Sequence, residues 1–366
     1  MPSHETDREL KTADSGEIAD DALIGTPAPR SNRRPWWLWA GLGVVVGVPL
    51  LLTLIGALTS PPHVKGIPAG TLVYLEADAP SEHTTTLRGL YVVTPGTPPR
   101  LLTHETEPQD SDGGVREWIT QPALSPDSKF VAYEKQLISL QEEKQSIVSQ
   151  LWVQPVDASA PAHLILDFTA QKLKQPVGLA WDSDSSVLVL EDRTAYSVPL
   201  ETLDTPLKMP LDLNGLTLAP TPALSASRSP SLTEAGGFAY SVQTPTGPQV
   251  LIQTAGKAAP GPAASVFALS PTGGVLAYVP PGTNVLRLSN LATGATLKDI
   301  PARWGWSVFG KRAVTSLRWS PDGKRLAYTV SKPPVPDDEI FVVSIDTGKT
   351  VQLPYRTGLA AWDWGK

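Results

Sequence analysis

Short runs of alternating apolar and polar residues recur along the chain after residue 69, each built around a tight turn. The clearest copy is residues 317–330, Leu-Arg-Trp-Ser-Pro-Asp-Gly-Lys-Arg-Leu-Ala-Tyr-Thr-Val. In its centre Pro321 fixes its own φ, Asp322 can accept hydrogen bonds from nearby backbone amides, and Gly323 tolerates a positive φ. The pattern therefore predicts a strand, a tight turn and a second strand.

The same hairpin pattern returns at fairly even spacing. With the residue eight before the final aromatic as the reference, the copies have their reference positions at residues 125, 182, 225, 270, 320 and 363. These positions are 57, 43, 45, 50 and 43 residues apart. Periods of about 40–50 residues with several short strands each are typical of propeller blades.

The pattern begins and ends within a repeat. Residues 70–75 match only the second half of the hairpin, and residues 359–363 match only the first half. A further strand-rich segment follows each hairpin, at residues 89–93, 150–153, 194–198, 249–252, 284–288 and 339–343. We therefore predict an all-β fold over residues 69–366, a six-bladed β-propeller closed by pairing of its first and last strands.

The repeat also resembles that of a known family. Leu-Ser-Pro-Asp-Ser-Lys-Phe-Val-Ala-Tyr at residues 124–133 and Trp-Ser-Pro-Asp-Gly-Lys-Arg-Leu-Ala-Tyr at residues 319–328 look like the repeat of TolB-type propellers. The resemblance covers residues 66–366 and implies an extracytoplasmic six-bladed ring that binds partners or ligands at its mouth. TolB itself carries an additional N-terminal domain, whereas residues 59–68 here suggest only a short linker.

An uncharged apolar stretch, residues 36–58, precedes the propeller. As a helix with a rise of about 1.5 Å per residue it would extend about 34 Å, enough to cross the hydrocarbon core of a bilayer. A cleaved signal peptide is the alternative, but its apolar region is usually only about 7–15 residues long. We predict a single transmembrane helix that acts as an uncleaved signal-anchor.

The charges beside this stretch predict its orientation. Three arginines precede it closely, and Lys65 is the only basic residue soon after it; the arginines are Arg30, Arg33 and Arg34. The positive-inside rule therefore places residues 1–35 in the cytoplasm and the propeller outside it. Those 35 residues are polar and charged without an apolar period, so we predict a disordered tail, either inert or a docking peptide for a cytoplasmic partner.

Composition narrows the chemistry. The net charge is −6 and no basic stripe occurs, which argues against a nucleic-acid partner. The absence of cysteine excludes disulfides, thiolate metal sites and cysteine nucleophiles. The five histidines form no zinc-binding pattern, and no phosphate-binding loop or Gly-x-Ser-x-Gly motif is present. The sequence thus predicts no catalytic residue, no metal site and no cofactor.

Two long connections, residues 103–120 and 301–313, run into the first strand of a repeat and are expected on the face around the central channel. Together with residues 354–357, they carry aromatic and basic residues that the repeat does not require. Exposed Trp, Tyr and Arg are typical anchors of interfaces, although packing within the loops would explain them as well. The predicted binding residues are Arg116, Trp118, Trp304, Trp306, Arg312, Tyr355 and Arg356.

Other polar and aromatic positions favour structural roles. Asp127, Asp184 and Asp322 lie in the repeat turns, where turn chemistry explains them. The acidic run at residues 105–112 lacks the spacing of an EF-hand, so a solvated loop is favoured over a calcium site.

Two further features leave alternatives open. Trp181, Trp319 and Trp362 share one strand position, where packing between blades is favoured over a ring that stacks on a ligand. Residues 137–148 either lengthen one hairpin or form a short amphipathic insertion.

Three classes of function remain. We favour a non-enzymatic binding or scaffold module for a protein or a cell-envelope ligand. The alternatives are an extracytoplasmic hydrolase or lyase at the channel mouth, and a transmembrane sensor coupled to the cytoplasmic tail.

Overall fold

The computed structural model describes the propeller region in segments. These are residues 66–67, 70–77, 87–106, 114–141, 144–183, 186–191, 194–200, 207–209, 217–218, 231–232, 238–254, 257–264, 266–302, 312–332, 335–358 and 362–365. Within these segments the regular elements are all strands. No helix in this part of the chain has the length and apolar character needed to cross a membrane. The predicted membrane segment, residues 36–58, lies outside the described residues, as does the predicted tail.

Twenty-five strands follow one another along the described residues. The first thirteen are β1 (Thr71–Ala77), β2 (Arg88–Val93), β3 (Arg100–His104), β4 (Val115–Leu124), β5 (Phe130–Gln141), β6 (Lys144–Pro155), β7 (His163–Asp167), β8 (Gly178–Ser183), β9 (Ser186–Glu191), β10 (Thr194–Pro199), β11 (Leu207–Met209), β12 (Thr217–Leu218) and β13 (Ser231–Leu232). The others are β14 (Phe238–Thr244), β15 (Gly247–Thr254), β16 (Lys257–Ala263), β17 (Phe267–Leu269), β18 (Val275–Tyr278), β19 (Val285–Asn290), β20 (Thr296–Pro301), β21 (Val314–Trp319), β22 (Arg325–Lys332), β23 (Val335–Ser344), β24 (Thr350–Gly358) and β25 (Trp362–Gly365).

The strands form six antiparallel sheets, which are the blades of a propeller. Blade 1 contains β25, β1, β2 and β3, and blade 2 contains β4 to β7. Blades 3, 4, 5 and 6 contain β8 to β11, β12 to β16, β17 to β20 and β21 to β24. The innermost strands β25, β4, β8, β13, β17 and β21 each contact the next one, and β21 contacts β25. The prediction of a six-bladed β-propeller is therefore confirmed.

Blade 1 combines the two ends of the propeller. Strand β25 pairs antiparallel with β1, with Leu72 opposite Trp364 and Tyr74 opposite Trp362. Each of these strands would otherwise expose an edge of unpaired backbone groups, so their pairing removes two edges at once. The preceding residues 359–361 lie outside the described residues.

The repeat turns have one geometry. In each turn the serine carbonyl accepts a hydrogen bond from the amide three residues later, and the serine hydroxyl accepts one from the amide five residues later; these serines are Ser125, Ser270 and Ser320. Asp127 and Asp322 each accept from their serine hydroxyl and from the amide two residues later. These bonds outweigh partial burial and lower the pKa of both carboxyls. The turn interpretation is confirmed for both, whereas Asp184 lies outside the described residues.

The repeated tryptophans bind one blade to the next. Trp181 donates its indole N–H to the Ala123 carbonyl at 2.9 Å, and Trp319 donates to the Ala268 carbonyl at 3.0 Å. Ala123 and Ala268 each lie two residues before a repeat serine, so the two contacts are equivalent. Trp362, fully buried, donates instead to the Ser316 hydroxyl at 2.6 Å. Packing between blades is thus the role of this position.

Residues 137–148 lengthen a hairpin. Strands β5 and β6 stay paired from Phe130 opposite Pro155 to Gln141 opposite Lys144, without a register shift. Strand β4 pairs along the same extension, with Val115 opposite Ser139. The hairpin alternative was therefore correct, and the β5–β6 hairpin of blade 2 is lengthened at its tip.

Candidate functional site

The predicted binding residues that the structure describes belong to one face of the ring, which we call the upper face. It is the face at which the innermost strands begin, as β4 does at Val115 and β21 at Val314. Because neighbouring strands are antiparallel, the extended tips of β5–β6 and of β22–β23 and the end of β24 lie at this face as well. The described ends of the two predicted connections, residue 114 and residues 312–313, precede β4 and β21 at this face.

The most informative pair on the upper face is Arg116 and Trp118. Both lie near the start of β4, two residues apart and therefore on the same side of the strand. The guanidinium carbon of Arg116 lies 4.9 Å from the centre of the Trp118 ring, which is a cation–π contact. Among the described residues, neither Arg116 Nε nor Trp118 Nε1 has a hydrogen-bond acceptor, although both atoms are shielded from solvent.

A network of buried polar side chains centred on Glu134 lies next to this pair. Trp118 is opposite Gln136 on β5, and the next position on the same side pairs Thr120 with Glu134. Glu134 is fully buried, with 0% exposure. Its carboxylate accepts hydrogen bonds from the Thr120 hydroxyl at 2.6 Å, the Ser149 hydroxyl at 2.7 Å and the Gln136 amide at 3.0 Å. The bond from Gln136 also holds in place the side chain that lies opposite Trp118.

The Glu134 network extends to the neighbouring blade. Gln121 has a positive φ of 53°, at a register shift where β4 bulges away from β5. Its amide donates to Glu134 at 3.2 Å and to the Pro176 carbonyl, just before blade 3, at 3.1 Å. Burial raises the pKa of Glu134, and the hydrogen bonds that it accepts offset this only in part. Through the Gln121 amide, the carboxyl is therefore linked to the segment before blade 3, beneath the Arg116–Trp118 pair.

Three other predicted residues are described and lie elsewhere around the upper face. Arg312, shortly before β21, is buried and its Nη1 lies 3.5 Å from Oε2 of Glu339. Tyr355 on β24 is also buried, and its ring centre lies 5.4 Å from that of Tyr74 in blade 1. Arg356 follows Tyr355 in β24, with its backbone opposite Glu339. Trp304 and Trp306 lie outside the described residues.

One part of the acidic connection differs from the expected solvated loop. Glu105 is 1% exposed and forms an ion pair with Arg88 on β2, with 2.9 Å between Arg88 Nε and Glu105 Oε1. The backbone amides of Arg88 and Ile119 also donate to this carboxylate, each at 3.0 Å. Arg88 in turn donates to the Ile119 carbonyl at 3.0 Å. The solvated-loop expectation was therefore wrong for Glu105, which ties blade 1 to blade 2.

Sequence reasoning missed Asp363 near the centre of the ring. On β25, its two carboxylate oxygens accept hydrogen bonds from Arg318 on β21 and from the backbone amide of Leu124 on β4. The available signal was its place in the repeat, because Asp363 stands where the strongest copies have serine. Among the described residues, no group of three or more His, Asp or Glu side chains could hold a metal ion.

Comparisons with known proteins agree with this fold. No family model matches the chain, and no curated protein sequence matches it. TolB from Acinetobacter baumannii matches with a TM-score of 0.55 and 19% identity over 81% of this chain and 66% of that one. A nidogen/laminin complex matches with 13% identity over 80% of this chain and 98% of that one, TM-score 0.48. A putative TolB from Agrobacterium tumefaciens matches with 12% identity over 72% and 88%, TM-score 0.47.

The described strands are thus a TolB-like six-bladed β-propeller. The matched region spans 66% of the length of the Acinetobacter protein. At this identity the likeness defines the fold, and blades of this type carry many different functions.

Proposed function

We propose that the chain is a non-enzymatic binding or scaffold module whose propeller takes a protein or cell-envelope ligand at its upper face. In this proposal residues 36–58 anchor it in the cell membrane, with the N-terminus in the cytoplasm and the propeller outside. The observation that carries the proposal is the Arg116–Trp118 pair, whose two buried donors lack an acceptor among the described residues. Trp and Arg are the residues most enriched at binding hot spots.

The chemistry of the pair favours an acceptor-rich ligand group. A buried N–H without a partner costs about 1–3 kcal/mol. A carboxylate or a backbone carbonyl that turned Arg116 or Trp118 towards itself would recover this cost on binding. The Trp118 ring would still support the guanidinium after a small turn of this kind, and the Glu134 network beneath would limit rearrangement of β4. We therefore expect the ligand to present an oxygen acceptor beside an apolar surface.

The test is ligand capture by the full-length chain. The chain would be purified in detergent and used as bait for solubilised envelope proteins, with captured partners quantified by mass spectrometry. Trp118→Ala and Arg116→Ala should each weaken capture of the specific partner by roughly thirtyfold, the equivalent of about 2 kcal/mol at a hot spot. Both variants should keep a cooperative thermal transition.

Blade 2 itself supplies a matched control. Lys135 Nζ lies 4.7 Å from the centre of the Trp152 ring, so this pair also stacks a cation on an indole. The Lys135–Trp152 pair lies on the side of the sheet opposite to the Arg116–Trp118 pair. Glu117 Oε2 lies 3.1 Å from Lys135 Nζ. Trp152→Ala should leave capture unchanged. Equal loss with Trp118→Ala and Trp152→Ala would show that capture follows the folding of blade 2 and not the proposed face.

The membrane orientation has its own test. Protease added to spheroplasts should digest the propeller while sparing residues 1–35. Changing Arg30, Arg33 and Arg34 to glutamate should scramble the orientation, because these residues supply the basic bias on the inner side. A tail that is cleaved from outside in the unaltered protein would refute the proposed topology.

A further inference from the structure

The outer strand of blade 2 ends before the strand that it covers. Strand β6 pairs with β5 from Pro155 to Lys144, whereas β7 pairs with β6 only between Val153 and Gln150. The contact continues for one more residue, where the Phe168 amide donates to the Ser149 carbonyl at 3.0 Å. Residues 144–148 of β6 thus extend past their outer partner.

A well-defined turn causes this early end. The Asp167 side chain accepts a hydrogen bond from the Ala170 amide at 2.8 Å, and the Asp167 carbonyl accepts one from the Gln171 amide at 3.1 Å. The Leu173 amide then bonds back to the Phe168 carbonyl at 2.8 Å, while Lys172 adopts a positive φ of 57°. The chain is therefore turned away from β6 at the point where β7 could have continued.

Blade 6 provides an internal comparison. Its hairpin of β22 and β23 is also lengthened and is paired up to Lys332 opposite Val335. There the outer strand β24 follows the hairpin upward and still pairs at Asp337 opposite Gly358. The uncovered edge in blade 2 is thus not a general result of a long hairpin in this fold.

The backbone groups on this edge can be assigned from strand geometry. Ser149 directs its carbonyl to the Phe168 amide and its amide to the Thr169 hydroxyl, at 3.0 and 3.3 Å. Backbone groups alternate between the two edges with a period of two residues. Ile147 and Gln145 therefore direct their N–H and C=O groups to the same edge. Within the described segments, no strand pairs with these two residues on that side.

The side chains on this edge are suited to an added strand. Ile147 is 44% exposed and lies opposite Ile138, so an apolar residue added beside it would cover an apolar pair. On the other side of the sheet, the hydroxyls of Ser146 and Ser139 lie 2.6 Å apart and offer a polar surface. Exposed Lys172, in the turn that ends β7, adds positive charge next to one end of the edge.

We propose that the outer edge of β6 at residues 144–148 binds an extended segment of a partner protein by strand addition. The segment runs antiparallel to β6, in the direction of β7, so its N-terminal end lies next to the turn that contains Lys172. It alternates apolar and polar residues, places an apolar side chain beside Ile147 and carries an acidic residue near its N-terminus. Main-chain hydrogen bonds supply most of the affinity in this mode of recognition, and alternate side chains supply specificity. This inference does not depend on the proposed binding at Arg116 and Trp118, because β5 separates β4 from β6.

The test uses the full-length chain in detergent and a fluorescein-labelled peptide, Asp-Asp-Thr-Val-Thr-Val-Thr-Val-Thr-Lys. Two modified peptides carry N-methyl groups either on the valine amides or on the threonine amides. Only one of these two sets can face β6. We expect one methylated peptide to bind like the parent and the other to bind at least tenfold more weakly in fluorescence anisotropy. Equal binding by both, or binding by neither parent nor variants, would overturn strand addition.

Variants of the chain locate the edge. Ile147→Pro removes the N–H that points away from β5. The β5–β6 pairing should survive, because it does not use this N–H and proline is tolerated on sheet edges. Ile147→Pro should reduce parent-peptide binding at least tenfold, while Ile147→Val keeps the N–H and should reduce it less than threefold. If the full-length chain is a dimer without peptide and Ile147→Pro makes it monomeric, the edge pairs with a second copy and the proposal is wrong. Should Ile147→Pro fail to fold, the two methylated peptides still decide the question.

Discussion

Asp363 and Arg318 form an ion pair between the last strand of the propeller and blade 6, with 3.0 Å between Arg318 Nε and Asp363 Oδ1. The second carboxylate oxygen of Asp363 accepts a hydrogen bond from the Leu124 amide of blade 2 at 2.9 Å. One side chain of blade 1 therefore binds both neighbouring blades. Pairing of β25 with β1 closes the ring through the backbone, and Asp363 fixes the position of β25 between β21 and β4.

Replacing Asp363 should therefore weaken closure of the ring. Asp363→Ala removes hydrogen bonds to a charged group, each worth about 1.5–3 kcal/mol, and takes the carboxylate away from the partly buried Arg318. The melting temperature should fall by several degrees, at roughly 2 °C per kcal/mol for a domain larger than 250 residues. Asp346→Ala, in the exposed turn between β23 and β24, is the control and should leave it unchanged. Equal melting temperatures for the two variants would show that Asp363 does not contribute to closure.

The buried Arg88–Glu105 pair predicts a larger loss. Arg88→Met leaves the Glu105 carboxylate buried beside two backbone amides without its cation, and breaking a buried ion pair in this way costs about 3–5 kcal/mol. Adding Glu105→Gln should restore part of the lost stability, because it removes the buried charge while the amide oxygen can still accept one of the two backbone N–H groups. Urea unfolding of Arg88→Met, Glu105→Gln and the double variant measures the coupling between the two residues. A double variant as unstable as the sum of the two single changes would contradict coupling between the residues.

Local turn chemistry made much of the fold predictable. The Ser-Pro-Asp segments specify a hairpin through bonds that reach at most five residues along the chain, as between Arg325 and Ser320. The blade count follows from such local patterns, whereas the sequence could not decide between a hairpin and an amphipathic insertion at residues 137–148. The short outer strand β7 could not be predicted, because it depends on the turn that Asp167 forms with later backbone amides.

The candidate site was less predictable because its contacts are distant in sequence. Arg116 and Trp118 are two residues apart in a strand, so their contact follows from the period of a strand. By contrast, Glu105 pairs with a residue 17 positions away, and Asp363 with an amide 239 positions away. Tyr355, chosen as an exposed aromatic, is buried against Tyr74 of blade 1, a contact that only closure of the ring creates.

Glu134 predicts a specific pH dependence of stability. Burial raises its pKa in the folded chain above that in the unfolded chain, so between the two values the folded chain binds more protons. Stability should therefore decrease as pH rises from about 4.5, near the ordinary glutamate pKa, through the raised folded pKa. Glu134→Gln removes this contribution. The unfolding free energy of the variant minus that of the unaltered chain should increase with pH.

Urea unfolding at pH 5, 6 and 7 measures this difference, with Asp346→Asn as the control for an exposed carboxyl. Parallel pH profiles for the unaltered chain and Glu134→Gln would mean that the carboxyl keeps an ordinary pKa in the folded chain. A difference that decreases with pH would mean that its hydrogen bonds stabilise the ionised form more than burial disfavours it.

Replacing the tryptophans that join adjacent blades should lower the stability of the propeller more than replacing Trp152. Trp319→Phe and Trp181→Phe each remove an indole donor from a buried carbonyl, at a cost of about 1–3 kcal/mol for the group left without a partner. Trp152→Phe is the matched control, because its indole donates to the Gln150 side chain within the same strand and is only half-buried. Thermal unfolding should show a clear loss for the first two variants and less than about 1 kcal/mol for the third, as for most surface changes away from buried contacts. A propeller that used these tryptophans to stack a ligand, and not to join its blades, would instead keep its melting temperature in all three variants.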